Sequence, residues 1–243
     1  CNFLAVALTS KYPDVTVKSE YLVGDLAEVA YTQAAAGTLA DVYFSADLFV
    51  VPFAKNGVSL DLRPLAEADK DIDLDDVFPS MLGLGSFDGQ VHMLPSALDV
   101  VTMYYNKTLF EQAGAALPTD SWTWDDFVTE TQKITALEKD AQGNPMYWGL
   151  SNGTWNWWAT VYPWIVGYGG QVKTEDGATS TWSGPKTLEA LKAYTELWTK
   201  HNIAQPLGLE VGGDAFQLGR AAVWCHIPGA RQGVRDNVKD KFE

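Results

Sequence analysis

Apolar and polar positions repeat along the chain with two periods, and the places where the period changes divide it into elements. After an opening helix with the apolar run Phe3 to Leu8, Tyr12-Pro13-Asp14 breaks the pattern, because a residue before proline is driven out of the helical region. Val15, Val17 and Ser19 then alternate with polar neighbours, the period of two that a half-buried strand needs. Asp25 is placed to cap a helix through Gln33, with Leu26, Val29 and Ala30 on one face; Gly37 suits the left-handed residue that ends it. Ala40 to Ala46 (ADVYFSA) reads as a buried strand, and Phe49 to Asn56 as a helix stopped by Gly57.

Asp88-Gly89 between short apolar runs predicts a tight hairpin, since both residue types tolerate positive φ. Val100 to Asn106 reads as a strand leading into a helix over Thr108 to Ala113. Thr123 with Asp126 three residues on matches a capping pattern, and the helix it opens is expected to reach about Lys139. Met146 to Ser151 follows as a strand and Trp155 to Val166 as a helix. Gly184-Pro185 starts a long helix with Leu188, Leu191, Tyr194 and Trp198 on its buried side, proline being tolerated at a first helical position. Ala221 to Cys225 closes with a strand. Alternating helices and strands predict α/β architecture with a mostly parallel sheet. A length of 243 residues suits two lobes, placed at 1–105 and 106–243 and joined by structured crossovers.

Composition narrows the partners. The 17 basic against 31 acidic residues give a formal charge of −14, a field that repels nucleic acid and anionic lipid. No run nears the roughly 20 apolar residues that span a bilayer; the best, Val161 to Gly170, is broken by Pro163 and glycines. Only Cys1 and Cys225 are present, so neither a disulfide framework nor a metal-binding CxxC pair is expected. Cys1 could carry a lipid, but such a residue normally precedes a flexible tether and here an apolar segment follows at once. The chain opens in mid-helix and stops at Lys-Asp-Lys-Phe-Glu, so it reads as a fragment.

Ten tryptophans are the strongest chemical signal, with Trp155, Trp157 and Trp158 inside four residues. Sugar rings stack their C–H faces on indoles while their hydroxyls need acids and amides, and a Trp-rich, acid-rich chain offers both. Asp69 to Asp76 imitates a calcium loop without its glycine and its bidentate glutamate, so a solvated, helix-capping loop is expected. Asp125 and Asp126 could pass for the paired acids of glycoside hydrolysis, yet neighbours on a helix point about 100° apart; capping is the simpler role. His92, His201 and His226 lie at no metal-ligand spacing, and no nucleotide-binding or nucleophile motif occurs. No cofactor, metal site or catalytic residue is expected.

Several segments together resemble the family 1 extracellular solute-binding proteins of ABC importers, the group with maltose and oligosaccharide receptors. They are Lys11 to Val17, Ala34 to Ser45, Asn56 to Leu62, Phe87 to Pro95, Tyr104 to Lys107 with Leu109 to Gly114, and Trp122 to Phe127. Gly169-Gly170, Ser183 to Leu191 and Phe216 to Val223 carry the resemblance into the second half. It implies a two-lobe α/β fold of the type II periplasmic-binding class, hinged, with ligand in the interlobe cleft. It further implies a bacterial extracytoplasmic receptor that passes a carbohydrate to permease subunits, without chemistry of its own. By the same resemblance Ser45, Asp47 and Asp99 supply polar contacts, Trp155 and Trp158 stack on the sugar, and His226 and Gly229 line the loop after the last strand. The sequence departs from the family in lacking its first strand, in Leu39-Ala40 before Asp41, and in Gly229 where an aromatic is frequent. A glycoside-processing enzyme with a Trp-rich cleft, or the same receptor holding a polyol or other polar solute, are the alternatives.

Overall fold

The computed structural model describes residues 2–21, 23–151, 158–174, 179–209, 211–239 and 241–243, and for residues 2–4, 158 and 159 the backbone only. Cys1, Trp155 and Trp157 lie outside these ranges. The chain divides into two compact units, Cys1–Leu98 and Asp99–Glu243.

In the first unit, helix α1 (Asn2–Lys11) precedes α2 (Leu26–Ala36). Asp25 caps α2 by accepting the Glu28 N–H, and Gly37 ends it at φ 66°. The next elements are a 3₁₀ turn at Asp47–Phe49 and α3 (Val50–Lys55), with Gly57 in the left-handed region as its stop. Phe53 is the hub of this core: Tyr31 and Tyr43 meet it edge-on at 5.4 and 5.7 Å, and Phe49 stacks on it at 5.4 Å. α4 (Arg63–Ala68) and α5 (Pro79–Leu84) lead to a hairpin of β1 (Ser86–Phe87) and β2 (Gln90–Val91). Asp88 at φ 51° and Gly89 at φ 77° make its turn, the geometry that matches strand twist. Asp61 ties hairpin to helix, its carboxylate accepting the N–H groups of Arg63 and Val91 at 3.0 Å each. Asp69 and Asp73 accept the N–H groups of Asp71 and Asp75, so this acidic run caps its own turns.

Two expected strands are not formed. Residues 15–19 and 40–46 run as coil and bends. The second keeps its alternation, with Tyr43 turned onto Phe53 while Val42 and Phe44 stand 89% and 72% exposed. Neither segment pairs with a strand among the described residues, and a period of two makes a strand only where a second backbone takes its hydrogen bonds.

The second unit is built on a three-stranded sheet in the order β3 (Thr102–Tyr105), β5 (Ala221–His226), β4 (Trp148–Leu150). β5 is central, antiparallel to β3 with Thr102 opposite His226, and parallel to β4 with Leu150 opposite Val223. Helices α6 (Lys107–Gln112), α7 (Trp124–Thr135), α8 (Trp158–Gly167) and α9 (Pro185–Thr199) belong to this unit, and α10 (Arg231–Val238) follows β5. Thr123 and Asp126 form the expected capping box, but α7 ends at Thr135, four residues before Lys139. The reason is β4: Thr135 Oγ1 accepts the Gly149 N–H, and a Cβ on Gly149 would fall inside Thr131. The helix therefore turns away where the strand passes. α9 buries Thr187, Ala190, Tyr194 and Leu197, while Leu188, expected inside, is 52% exposed, because the contact stripe runs one position away from it.

Candidate functional site

Parallel strands direct their carboxyl ends to one edge of a sheet, and in open α/β sheets that edge is where ligands bind. In the second unit it is built by three segments. Ser151 follows β4, its N–H donating to Val223 O at 2.8 Å. His226 ends β5, and Thr102, at the start of antiparallel β3, donates from Oγ1 to the His226 carbonyl at 3.1 Å. Tyr104 secures the next turn by donating from its hydroxyl to Ile227 O at 3.2 Å.

Asp99 enters the same edge three residues before Thr102. A Cβ at Gly229 would lie 4.0 Å from Asp99 Oδ1, an ordinary contact distance, so the exposed carboxylate stands beside this turn. The structure thus brings together three residues expected from sequence: Asp99, His226 and Gly229. Trp158 is the first residue of α8, its side chain not being described; Trp155 lies outside the described residues. Ser45 and Asp47 belong to the first unit, where Ser45 is half-buried and Asp47, exposed, opens the 3₁₀ turn.

Beneath the edge lies a layer that the sequence reading missed. Trp224, 5% exposed, stacks on Phe216 and, at 4.2 Å between centroids, on the His226 ring. Asp214 precedes Phe216 and opens the turn into β5, its Oδ1 accepting the Gln217 N–H at 3.1 Å. Burial pushes the Asp214 carboxyl above its ordinary value, against the pull of the Gln217 and Phe216 N–H groups, of His226 and of the Ser151 hydroxyl. An Asp two residues before a Phe looks like any turn cap in sequence, so nothing marked it. Burial likewise pushes the Cys225 thiol up to about 12, which removes it as a nucleophile at neutral pH.

Asp125 and Asp126 do not form an acid pair for hydrolysis, because Asp126 closes the capping box with Thr123 and its carboxyl is lowered by those hydrogen bonds. Asp125 instead lines a separate groove of about 620 Å³ with Trp124, Tyr168, Glu189, Glu196 and Lys200. Glu196 there is occupied by Lys192 and Lys200, and Glu189 by Lys186; this groove lies on α7 and α9 rather than at the strand ends. Among the described residues no cluster of His, Cys, Asp and Glu could hold a metal ion, and no helix is long and apolar enough to cross a membrane.

Comparison with known proteins adds an independent line. Residues 3–242 match the family of bacterial extracellular solute-binding proteins. Relatives from Brucella abortus and Brucella suis, described as binding proteins, are 30% identical over 192 residues, which is 79% of this chain and 44% of theirs; the chain thus spans less than half of their length. Among solved structures, the sugar-binding protein MalE of Xanthomonas citri superposes with a TM-score of 0.79 at 17% identity, covering 99% of this chain and 60% of its own. An ABC substrate-binding protein of Listeria monocytogenes, solved with cycloalternan, gives 0.77 at 24% over 97% and 60%. The cyclic alpha-maltosyl-1,6-maltose binding protein of Arthrobacter globiformis gives 0.76 at 22% over 100% and 59%. At these identities the likeness establishes the fold, the two-lobe α/β class expected from the sequence.

Proposed function

The chain belongs to the bacterial extracellular solute-binding proteins, and we propose that it is the solute-capturing part of a receptor that hands a carbohydrate to an ABC importer outside the cytoplasm. The observation that carries this reading is the convergence of Asp99, His226 and Gly229 on the carboxyl edge of the β4–β5 pair. That edge offers an exposed carboxylate for hydroxyls, an imidazole, and an open position beside Gly229 where a ring can approach backbone. Trp158, the first residue of α8, is proposed as the stacking face together with Trp155. Ser45 and Asp47 are proposed as the first unit's ligand contacts. One solved protein of this fold was determined with cycloalternan and another is described as a cyclic alpha-maltosyl-1,6-maltose binding protein, which supports an oligosaccharide over a small ion. A net charge of −14 disfavours polyanionic partners.

A thermal-shift screen over maltose, maltotriose, acarbose and D-tagatose tests the reading, since a ligand that binds only the folded state raises its melting temperature. Calorimetry with the best sugar then compares Asp99→Ala and Trp158→Ala with the parent. Each is expected to weaken binding by about 1–3 kcal/mol, the usual cost of removing a central contact. Unchanged affinity in both removes this site, and steady hydrolysis of the bound sugar replaces the receptor by a glycosidase.

A further inference from the structure

The groove of about 620 Å³ on α7 and α9 lies away from the strand ends, and its volume falls among clefts that hold an organic ligand. One wall is set by a local signal. The capping box of Thr123 and Asp126 fixes the first turn of α7, and with it the places of Trp124 and Asp125. Trp124 meets Trp164 edge-on at 5.3 Å and Tyr168 at 5.5 Å. Both tryptophans rest on the core of this unit, but Trp124 and Tyr168 are only half-buried and also line the groove. The opposite wall is one face of α9, where Glu189, Lys192, Glu196 and Lys200 recur at the spacing of helical neighbours. Ala193 stands among them, and its single methyl leaves the space open.

The polar groups on these walls fall into two sets. Those on α9 are paired, Glu196 with Lys200 at 3.3 Å and Lys192 at 3.9 Å, and Glu189 with Lys186 at 2.8 Å. Those on the other side are not. The Asp125 carboxylate is exposed and meets no lysine or arginine among the described residues. Thr131 and Thr135 of the same helix donate their hydroxyls back to Phe127 O at 2.6 Å and Thr131 O at 3.2 Å, a common habit of helical threonines. Thr129, on the groove, makes no such bond among the described residues, and neither does the Tyr168 hydroxyl. Burial, and then the carboxylates of Glu189, Asp125 and Glu196, push the Tyr168 phenol above its ordinary value, so it stays protonated and able to donate.

This arrangement selects a ligand class. Asp125, Glu189 and Glu196 stand against Lys192 and Lys200, a near balance of charge that suits neither a phosphate nor a polyamine. Free hydroxyls and a free carboxylate lie beside two aromatic rings, which is what a neutral, hydroxyl-rich molecule with apolar C–H faces requires. Much of the lining is exposed, so the groove fits a segment of a longer chain better than an enclosed single sugar. We propose that it is an outer carbohydrate site, which lays an oligosaccharide segment across Trp124 and Tyr168 and holds its hydroxyls on Asp125 and Thr129. The site goes beyond the receptor reading and does not rest on Asp99, His226 or Trp158. A weak outer site raises the local concentration of chain around a molecule that has a second site for it.

The experiment titrates the full 15N-labelled chain with maltoheptaose, cellohexaose and laminarihexaose, and separately with tetramethylammonium chloride. NMR follows the Trp124 indole N–H and the amides of α7 and α9. At least one of the sugars is expected to shift these signals saturably, with a dissociation constant on the order of 1 mM. Ala193→Arg fills the groove, its charge meeting Glu189 and Glu196 along the helix, and is expected to abolish the shifts. Tyr168→Phe removes only a hydroxyl and is expected to weaken binding about five-fold, the usual worth of one hydrogen bond. Asp99→Ala, at the strand ends, is expected to leave the groove's shifts intact, so that failure of the solute edge and failure of this site are told apart. The absence of saturable shifts with all three sugars overturns the proposal, as does an unchanged response in Ala193→Arg. A response to tetramethylammonium alone overturns it in favour of a cation site, and loss of the shifts in Asp99→Ala assigns them to the solute edge instead.

Discussion

The second unit buries five of the six positions of β5, and gathers one core from α6, α7, α9, β4 and β5 and another around Trp148, Phe216 and Trp224. The first unit, whose sequence is the more apolar of the two, arranges its core about the single ring of Phe53 and leaves Val42, Phe44 and Leu48 in solvent. What differs is the hydrogen-bonding partner: β5 has a backbone on either side, whereas the segment 40–46 has none among the described residues. Burial follows backbone pairing, and apolar patterning alone does not produce it.

All ten tryptophans lie in the second unit, so their fluorescence reports that unit while circular dichroism reports both. The largest contrast is expected from truncating the two aromatic hubs. Phe53→Ala should destabilise the first unit by about 3–5 kcal/mol and leave the fluorescence transition in place. Phe110→Ala, at a ring with no exposure, should move the fluorescence transition by a similar energy. A common shift of both signals in both variants would show that the units unfold as one.

A smaller effect is expected from Gly149→Val, which forces a side chain into Thr131 where β4 crosses α7. It should cost about 1–3 kcal/mol, read by fluorescence in urea. Thr123→Ala opens the α7 capping box and should cost about 1 kcal/mol on the same signal.

Acid should act on both units in the same direction. Asp61 in the first unit and Asp126 and Asp140 in the second are lowered below 3.8, chiefly by hydrogen bonds from Arg63, Thr123 and Asn144. Their contribution is present above that value and is lost as pH falls through the lower folded ones, so Asp61→Asn should flatten the acid limb seen by dichroism and spare that seen by fluorescence. At the small end, Lys11→Ala removes an ion pair with Asp71 exposed on both sides, and no change in either transition is expected.

These contrasts also explain what was legible in the sequence. Asp25 with Gly37, Asp88-Gly89, Thr123 with Asp126 and Gly184-Pro185 act within four or so residues, and each formed as read. The strands at 15–19 and 40–46 depend on a partner far along the chain, which a local period cannot supply. The end of α7 was misjudged for the same reason, since Gly149 sets it from outside the helix. Of the site, Asp99, His226 and Gly229 came from the resemblance; their meeting at one edge needed the sheet. Asp214 and Trp224 were hidden because burial leaves no mark on a residue type.

The link from Thr102 to His226 closes over 124 positions. During synthesis at ~5–20 residues per second, β3 waits roughly 6–25 s before the strand that completes it emerges. Through that interval Met103 and Tyr105 border an open edge able to recruit strands from neighbouring nascent chains. The sheet of the second unit thus closes only after the helices between β3 and β5 have been made, and a chain of this topology gains from folding away from other nascent copies of itself.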